Sequence, residues 1–218
     1  MRSGRGVIAA KAAVHALALA PLAMLGWKAW QVGSGSDIDA LGAEPVAAIE
    51  HELGLWALRL LLVTLAVTPL RQLLDRPLLL RFRRLLGLWA FAYASLHFTA
   101  YLVLDLRGWW AQVLVEIVER PYITVGFAAW LLLLPLAVTS TRGWMRRLGR
   151  NWGRLHRLVY AIAALAVLHF WWVVKSDLRE PLLYAAILAV LLGWRLVRRR
   201  RRTAVAARAP PSTGAEQQ

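Results

Sequence analysis

The chain has 218 residues and a mass of 24.4 kDa, and its 59% hydrophobic and 18% charged residues set it apart from soluble domains, which run at about 45–50% apolar and about 25% charged. The absence of cysteine excludes disulfides, thiolate nucleophiles, cysteine-ligated iron–sulfur clusters and thiolate-ligated heme. The formal net charge of +15 would suit nucleic acid, a reading decided by where the arginines fall.

A hydrocarbon core ~30 Å thick needs about 20 mostly apolar helical residues. Six stretches qualify: 12–30, 53–70, 85–104, 121–140, 155–174 and 181–197. They predict an all-α fold, a six-helix transmembrane bundle. The first stretch resembles a signal peptide at its start, but apolar character continues to Trp30, with Trp27 and Trp30 placed as interface anchors. An uncleaved helix is expected. Pro121 and Pro181 sit where helices start, Pro69 where one ends, and Pro135 inside the fourth span predicts a kink. No repeat of 20–50 residues is apparent, and the polar residues 203–218 read as a disordered tail.

The basic residues sort by connecting segment. The N-terminus carries three, the second connection five, the fourth connection and following helix start six, and the C-terminus seven, together 21 of the 27. The other side keeps Lys28, Arg59, Arg107, Arg120, Lys175 and Arg179, with ten of the twelve acids. Positive charge stays cytoplasmic, so both termini are expected inside. The run Arg198 to Arg202 follows a span directly and reads as a stop signal touching anionic membrane lipid. No nucleic acid is expected. Eleven of the twelve tryptophans lie near a predicted helix end and form an aromatic belt; only Trp130 is central.

Without cysteine, the five histidines carry the chemistry. His51, between Glu50 and Glu52 at the mouth of the second span, reads as a surface residue. His15 sits among small alanines on the first span, as an interhelical hydrogen bonder or a ligand. His97 lies 12 residues beyond Leu85, and His169 lies 14 beyond Leu155, roughly 18 and 21 Å from the same surface at 1.5 Å per residue. Two neutral imidazoles at matching depth on parallel helices either ligate a heme iron from both faces or hydrogen-bond within the bundle. His156, 13 residues before His169, is ~20 Å away along the axis and suits a second site. Against that, 13 residues turn the side chain by about 140°, and the third helix offers Arg84 at the matching position. Arg59, about two turns into the second span, needs an anion: a heme propionate, Glu50 or Glu52, with snorkelling as the other solution. Arg154 and Arg157 read as basic-side anchors or as holders of a propionate or phosphate. No glycine-rich dinucleotide fingerprint appears, so electrons would enter and leave through partners or a membrane quinone.

The ordered runs RRLLGLWAFAYASLHFTAYLVLD (83–105), RPYITVGF (120–127) and LGRNWGRLHRLVYAIAALAVLHFWWVVK (148–175) resemble the MsrQ family. These are heme-binding membrane subunits of the bacterial periplasmic protein-methionine-sulfoxide reductase system, in the ferric-reductase-like transmembrane superfamily. The resemblance covers about residues 45–195. It implies a b-type cytochrome of the bacterial inner membrane that takes electrons from the quinone pool or a cytosolic flavin reductase. The acceptor it implies is a periplasmic molybdenum-containing catalytic subunit that repairs oxidised methionines. Heme b is the implied cofactor, one site with a second conceivable, and FMN is implied by the family alone, with no motif for it in the residues. His97, His156 and His169 occupy the family's histidine positions. The wider superfamily has two histidines on each of two helices, whereas the third helix here has only His97. The domain organisation expected is then an N-terminal segment 1–11, a heme-binding transmembrane domain 12–197, and a basic, then disordered tail 198–218. Competing readings are a quinol-oxidising cytochrome b with another acceptor and a non-redox membrane scaffold.

Overall fold

A computed structural model describes residues 2–174 and 177–208. Among these there is no strand, and six helices are long and apolar enough to cross a membrane. The protein is a multi-pass membrane protein. Its helices are α1 (Arg2–Ser34), α2 (Pro45–Leu74), α3 (Leu80–Ala100), α4 (Trp110–Glu119), α5 (Pro121–Val138), α6 (Arg142–Leu148), α7 (Arg150–Leu155), α8 (Val159–Val173) and α9 (Arg179–Arg208). Every predicted span falls on one of the six, and the helices run beyond the apolar stretches because arginine and alanine continue a helix well. For that reason α9 extends to Arg208, past Val197 and into the stretch read as a disordered tail. The rest of that tail, 209–218, and Lys175 lie outside the described residues.

The core is a four-helix arrangement. α2 packs along α3, α5 packs along α8, and α3 and α5 join the two pairs. α9 lies against α8 and α2, and α1 touches α2 and α3. The shared interior holds Leu61, Leu65, Tyr93, Ile162, Ala163 and Val167. Tyr93 is 1% exposed, and its hydroxyl donates to the Ala18 carbonyl of α1 at 2.6 Å. That bond settles a polar group that would otherwise cost several kcal/mol in hydrocarbon. His15 also ties α1 to α3, its Nδ1 accepting from Trp89 Nε1 at 3.1 Å. The interhelical role is therefore the one it takes.

Pro69 does not end its helix, contrary to the expectation from sequence; α2 continues to Leu74. A proline leaves the carbonyl four residues earlier without its intrahelical donor. Here that carbonyl is Leu65, and the guanidinium of Arg195 on α9 donates to it. The break in the hydrogen-bond ladder is mended from a neighbouring helix, as hydrocarbon surroundings require.

Connections read as plain loops also contain structure. α4 is held against the start of α5, with the Thr124 hydroxyl donating to the Ile117 carbonyl and Arg120 paired with Glu116 at 2.7 Å. α6 begins at Thr141, whose side chain accepts from the Trp144 amide. Gly149, at φ +48°, turns the chain into α7, a conformation that L side chains adopt at a cost.

Candidate functional site

α2 and α3 form one antiparallel pair and α5 and α8 a second. Between the pairs, at the acid-rich end, lies a cavity of about 360 Å³. Its walls are mostly leucine, alanine and aromatic side chains, and its rim carries Glu50, Tyr101, Asp105 and Tyr122. Three histidines line it: His51 near the end of α2 that lies toward the rim, and, facing each other, His97 from α3 and His169 from α8. The ring centroids of the facing two are 6.1 Å apart at an interplanar angle of 71°.

Each ring is anchored from behind. The Nδ1–H of His97 donates to the Glu50 carbonyl at 2.9 Å, and that of His169 donates to the Tyr122 carbonyl at 2.7 Å. A carbonyl can only accept, so both rings are held as the Nδ1–H tautomer. This leaves Nε2 of each with its lone pair available. An imidazole with one nitrogen donating to a carbonyl and the other free is the usual form of a metal-ligating histidine.

The carbonyls belong to helices already hydrogen-bonded along their length, so each must offer its second lone pair sideways. A glycine stands four residues on from each, next to the ring. A Cβ on Gly54 would lie 3.2 Å from Cε1 and Nδ1 of His97, and one on Gly126 would lie 2.7 Å from Nδ1 of His169.

The arrangement fits a heme. With metal–imidazole bonds of about 2 Å and about 1 Å from each nitrogen to its ring centre, two rings sharing one iron stand roughly 6 Å apart. Aromatic side chains flank the space. Phe98 is 4.8 Å from Trp130 and 5.5 Å from Phe127 between ring centroids, and Trp130 is fixed by its Nε1–H donating to Ser95 Oγ at 3.1 Å. Trp130, the one tryptophan placed centrally by sequence, is thus part of the wall.

The other predicted site residues go elsewhere. Arg59 is absent from the lining; its Nε donates to the Tyr184 hydroxyl at 2.9 Å, and its guanidinium lies 5.1 Å from the Trp56 ring centre. His51 does reach the lining, although its side chain is 49% exposed and 4.0 Å from Glu180. His156 sits in the 3₁₀ turn His156–Leu158 between α7 and α8 and does not line the cavity. Its Nδ1–H donates to the Trp152 carbonyl of its own helix at 3.1 Å, and its ring stacks on Trp152 at 3.9 Å. Among the described residues no cluster of three or more His, Cys, Asp or Glu is placed to hold a metal ion, so a two-histidine site is what the geometry offers.

Sequence reasoning missed Gly54, Gly126 and the two accepting carbonyls. The signal was present as spacing, since each glycine precedes its histidine by 43 residues.

Residues 53–167 match the family described as ferric reductase like transmembrane component, a segment that takes in His97, Gly126 and most of the four core helices. Several curated relatives are similar over nearly the whole chain. A protein of Xanthomonas euvesicatoria is 66% identical over 97% of this chain and 98% of its own length. One of Xanthomonas campestris is 69% identical over 95% and 96%. A more distant one, from Caulobacter vibrioides, is 50% identical over 84% and 86%. All three are named protein-methionine-sulfoxide reductase heme-binding subunit MsrQ. No solved structure matches the chain. Two inward imidazoles in a six-span bundle and identities of this size agree: the chain belongs to the MsrQ family of heme-binding subunits, within the ferric-reductase-like transmembrane group.

Proposed function

We propose that the chain is an electron-transfer subunit of the bacterial inner membrane. It carries electrons from the quinone pool or a cytosolic flavin reductase to a periplasmic, molybdenum-dependent methionine-sulfoxide reductase, and performs no sulfoxide chemistry itself. The observation that carries this reading is the facing pair His97 and His169, each with Nδ1 tied to a backbone carbonyl. Bound between them, heme b supplies a one-electron couple.

The chain's own residues do the rest. His97 and His169 would hold the heme iron through Nε2. Phe98, Phe127 and Trp130 exclude water and lipid from one side of the cavity, and Leu61 and Leu133 line its deeper part. Mostly apolar walls hydrate charge poorly, so the ligands and their hydrogen bonds weigh strongly on the balance between reduced and oxidised states. Among the described residues the cavity lining contains no lysine or arginine. Arg59 is left out of the ligand set, its Nε being engaged by Tyr184.

The distribution of basic residues supports an orientation with both termini cytoplasmic. The cavity then opens toward the periplasm, beside α4 and the segment 105–120, where the catalytic subunit would dock. A reduced-minus-oxidised visible spectrum of the purified protein tests the reading. The expected result is a b-type signal that disappears in His97→Ala and His169→Ala. A colourless, folded preparation from heme-replete cells would overturn it.

A further inference from the structure

The cavity has a hidden order. Of the 26 described residues that line it, 24 form twelve pairs separated by 72 positions, and among them Ala47 and Asp105 have no counterpart. Gly54 corresponds to Gly126, Leu61 to Leu133 and Ala94 to Ala166, and the tripeptide Leu96–His97–Phe98 to Leu168–His169–Phe170. The two anchoring bonds obey the same rule. Each joins a histidine to the carbonyl 47 residues before it, and each carbonyl lies four residues before a glycine. The α2–α3 pair and the α5–α8 pair therefore build one unit twice, and the two copies face each other across the cavity.

In a helix, Cβ tilts toward the N-terminus and stands over the turn below. A side chain at position i+4 thus shields the carbonyl of residue i from anything approaching sideways. Glycine removes that shield. It is also a poor helix former, costing about 1 kcal/mol relative to alanine, so two glycines inside the long helices α2 and α5 call for a reason. Both meet a histidine ring and no other neighbour among their nearest contacts.

We propose that Gly54 and Gly126 are positioning residues: each uncovers the backbone carbonyl that fixes the tautomer and seat of one imidazole, so that the pair stands at the spacing a single iron requires. The inference rests on the heme reading above. The two copies are not equally tight. At Gly126 an added methyl would fall 2.7 Å from a ring nitrogen that is itself hydrogen-bonded, and something must move. At Gly54 the 3.2 Å contacts ask the ring to yield by a few tenths of an ångström. Losing the carbonyl bond also lowers the basicity of the imidazole, which favours the ferrous state and raises the midpoint potential.

The test is a set of three alanine variants of the full chain, purified from heme-replete cells and shown monodisperse by size exclusion. Gly126→Ala is expected to lower the heme-to-protein ratio by about tenfold, the scale at which lost anchoring of a metal ligand acts, with residual heme becoming high-spin. Gly54→Ala is expected to keep heme in low-spin form with a raised midpoint potential. Gly87→Ala, whose methyl would make only an ordinary 3.6 Å contact with Thr64 Cγ2, is the control for helix composition and should match the parent protein in all three readouts. Unchanged heme content, spin state and potential in both Gly54→Ala and Gly126→Ala overturn the proposal while leaving the heme reading intact. Equal loss in Gly87→Ala overturns it too, as it would mark a general packing effect. A parent protein that lacks the paired-histidine spectrum overturns both readings together.

Discussion

The two ends of the bundle use the same bond for different ends. At the acid-rich end, side-chain donors on α3 and α8 reach carbonyls on other helices, and the donors are imidazoles whose second nitrogen faces a cavity. At the basic end, Arg195 donates to Leu65, Trp152 Nε1 to the Thr139 carbonyl, and His156 to Trp152 on its own helix. The first two serve carbonyls that a proline and a helix end leave short of a donor; the third adds to a carbonyl that already accepts from the His156 amide, and it leaves His156 Nε2 buried without a partner. The duplicated unit also breaks here. The position 72 residues before His156 is Arg84, whose side chain is exposed. A histidine in a membrane helix is thus a ligand candidate when its anchor lies on another helix and its free nitrogen faces space. Depth alone does not make it one.

The sharpest way to break this contrast is to remove a ring from the acid-rich end. His97→Ala or His169→Ala is expected to reduce bound heme by about tenfold or more, since each would delete one of the two residues proposed to hold the iron. The heme-to-protein ratio measures it. Full retention in both variants would put the cofactor elsewhere.

The basic end should answer in stability instead. Arg195→Met leaves the Leu65 carbonyl unsatisfied in a buried setting, which costs about 1–3 kcal/mol, read from the unfolding midpoint in detergent. Pro69→Ala restores an amide at the position that should have served this carbonyl. In that background Arg195→Met is expected to cost clearly less, and the coupling between the two sites, on the order of 0.5–3 kcal/mol, measures the repair. Additive effects would show that Arg195 acts through its stacking on Tyr160, 5.3 Å away, and not through the carbonyl. Heme content should stay constant throughout, because neither residue lines the cavity.

Much of this was legible in the sequence because hydrocarbon imposes simple rules. Six apolar runs became six spanning helices, and matching depth on parallel spans placed His97 beside His169. The partner of Arg59 was not legible, because a lone cation in a span demands one and sequence cannot say that Tyr184, 125 residues away, offers an oxygen. Pro69 misled for a similar reason, its repair coming from 126 residues along the chain. The duplication was in plain view, with Leu-His-Phe occurring twice 72 residues apart. It is too long for a solenoid-type repeat, and half of the twelve paired lining positions hold different residues. What survives in both copies includes what the site uses, the glycine, its histidine and the phenylalanine that follows, together with the wall residues Ala57, Leu61 and Ala94 and their counterparts Ala129, Leu133 and Ala166.

The smallest expected effect is the one that best separates the two ends. His156 occupies a family histidine position by resemblance, which favours a ligand, whereas its ring is stacked on Trp152 and bonded to the same helix. If the contrast drawn above holds, His156→Ala leaves the outer site untouched, since substitutions at separate sites without shared partners act independently. The heme-to-protein ratio should then stay within about twofold of the parent, with the low-spin signal intact. Trp152 would lose its stacking partner but keep its bond to the Thr139 carbonyl, so the helix connection should persist. A loss of heme as large as that of His97→Ala would mean that the broken copy of the unit still binds, with a ligand other than a second histidine opposite His156.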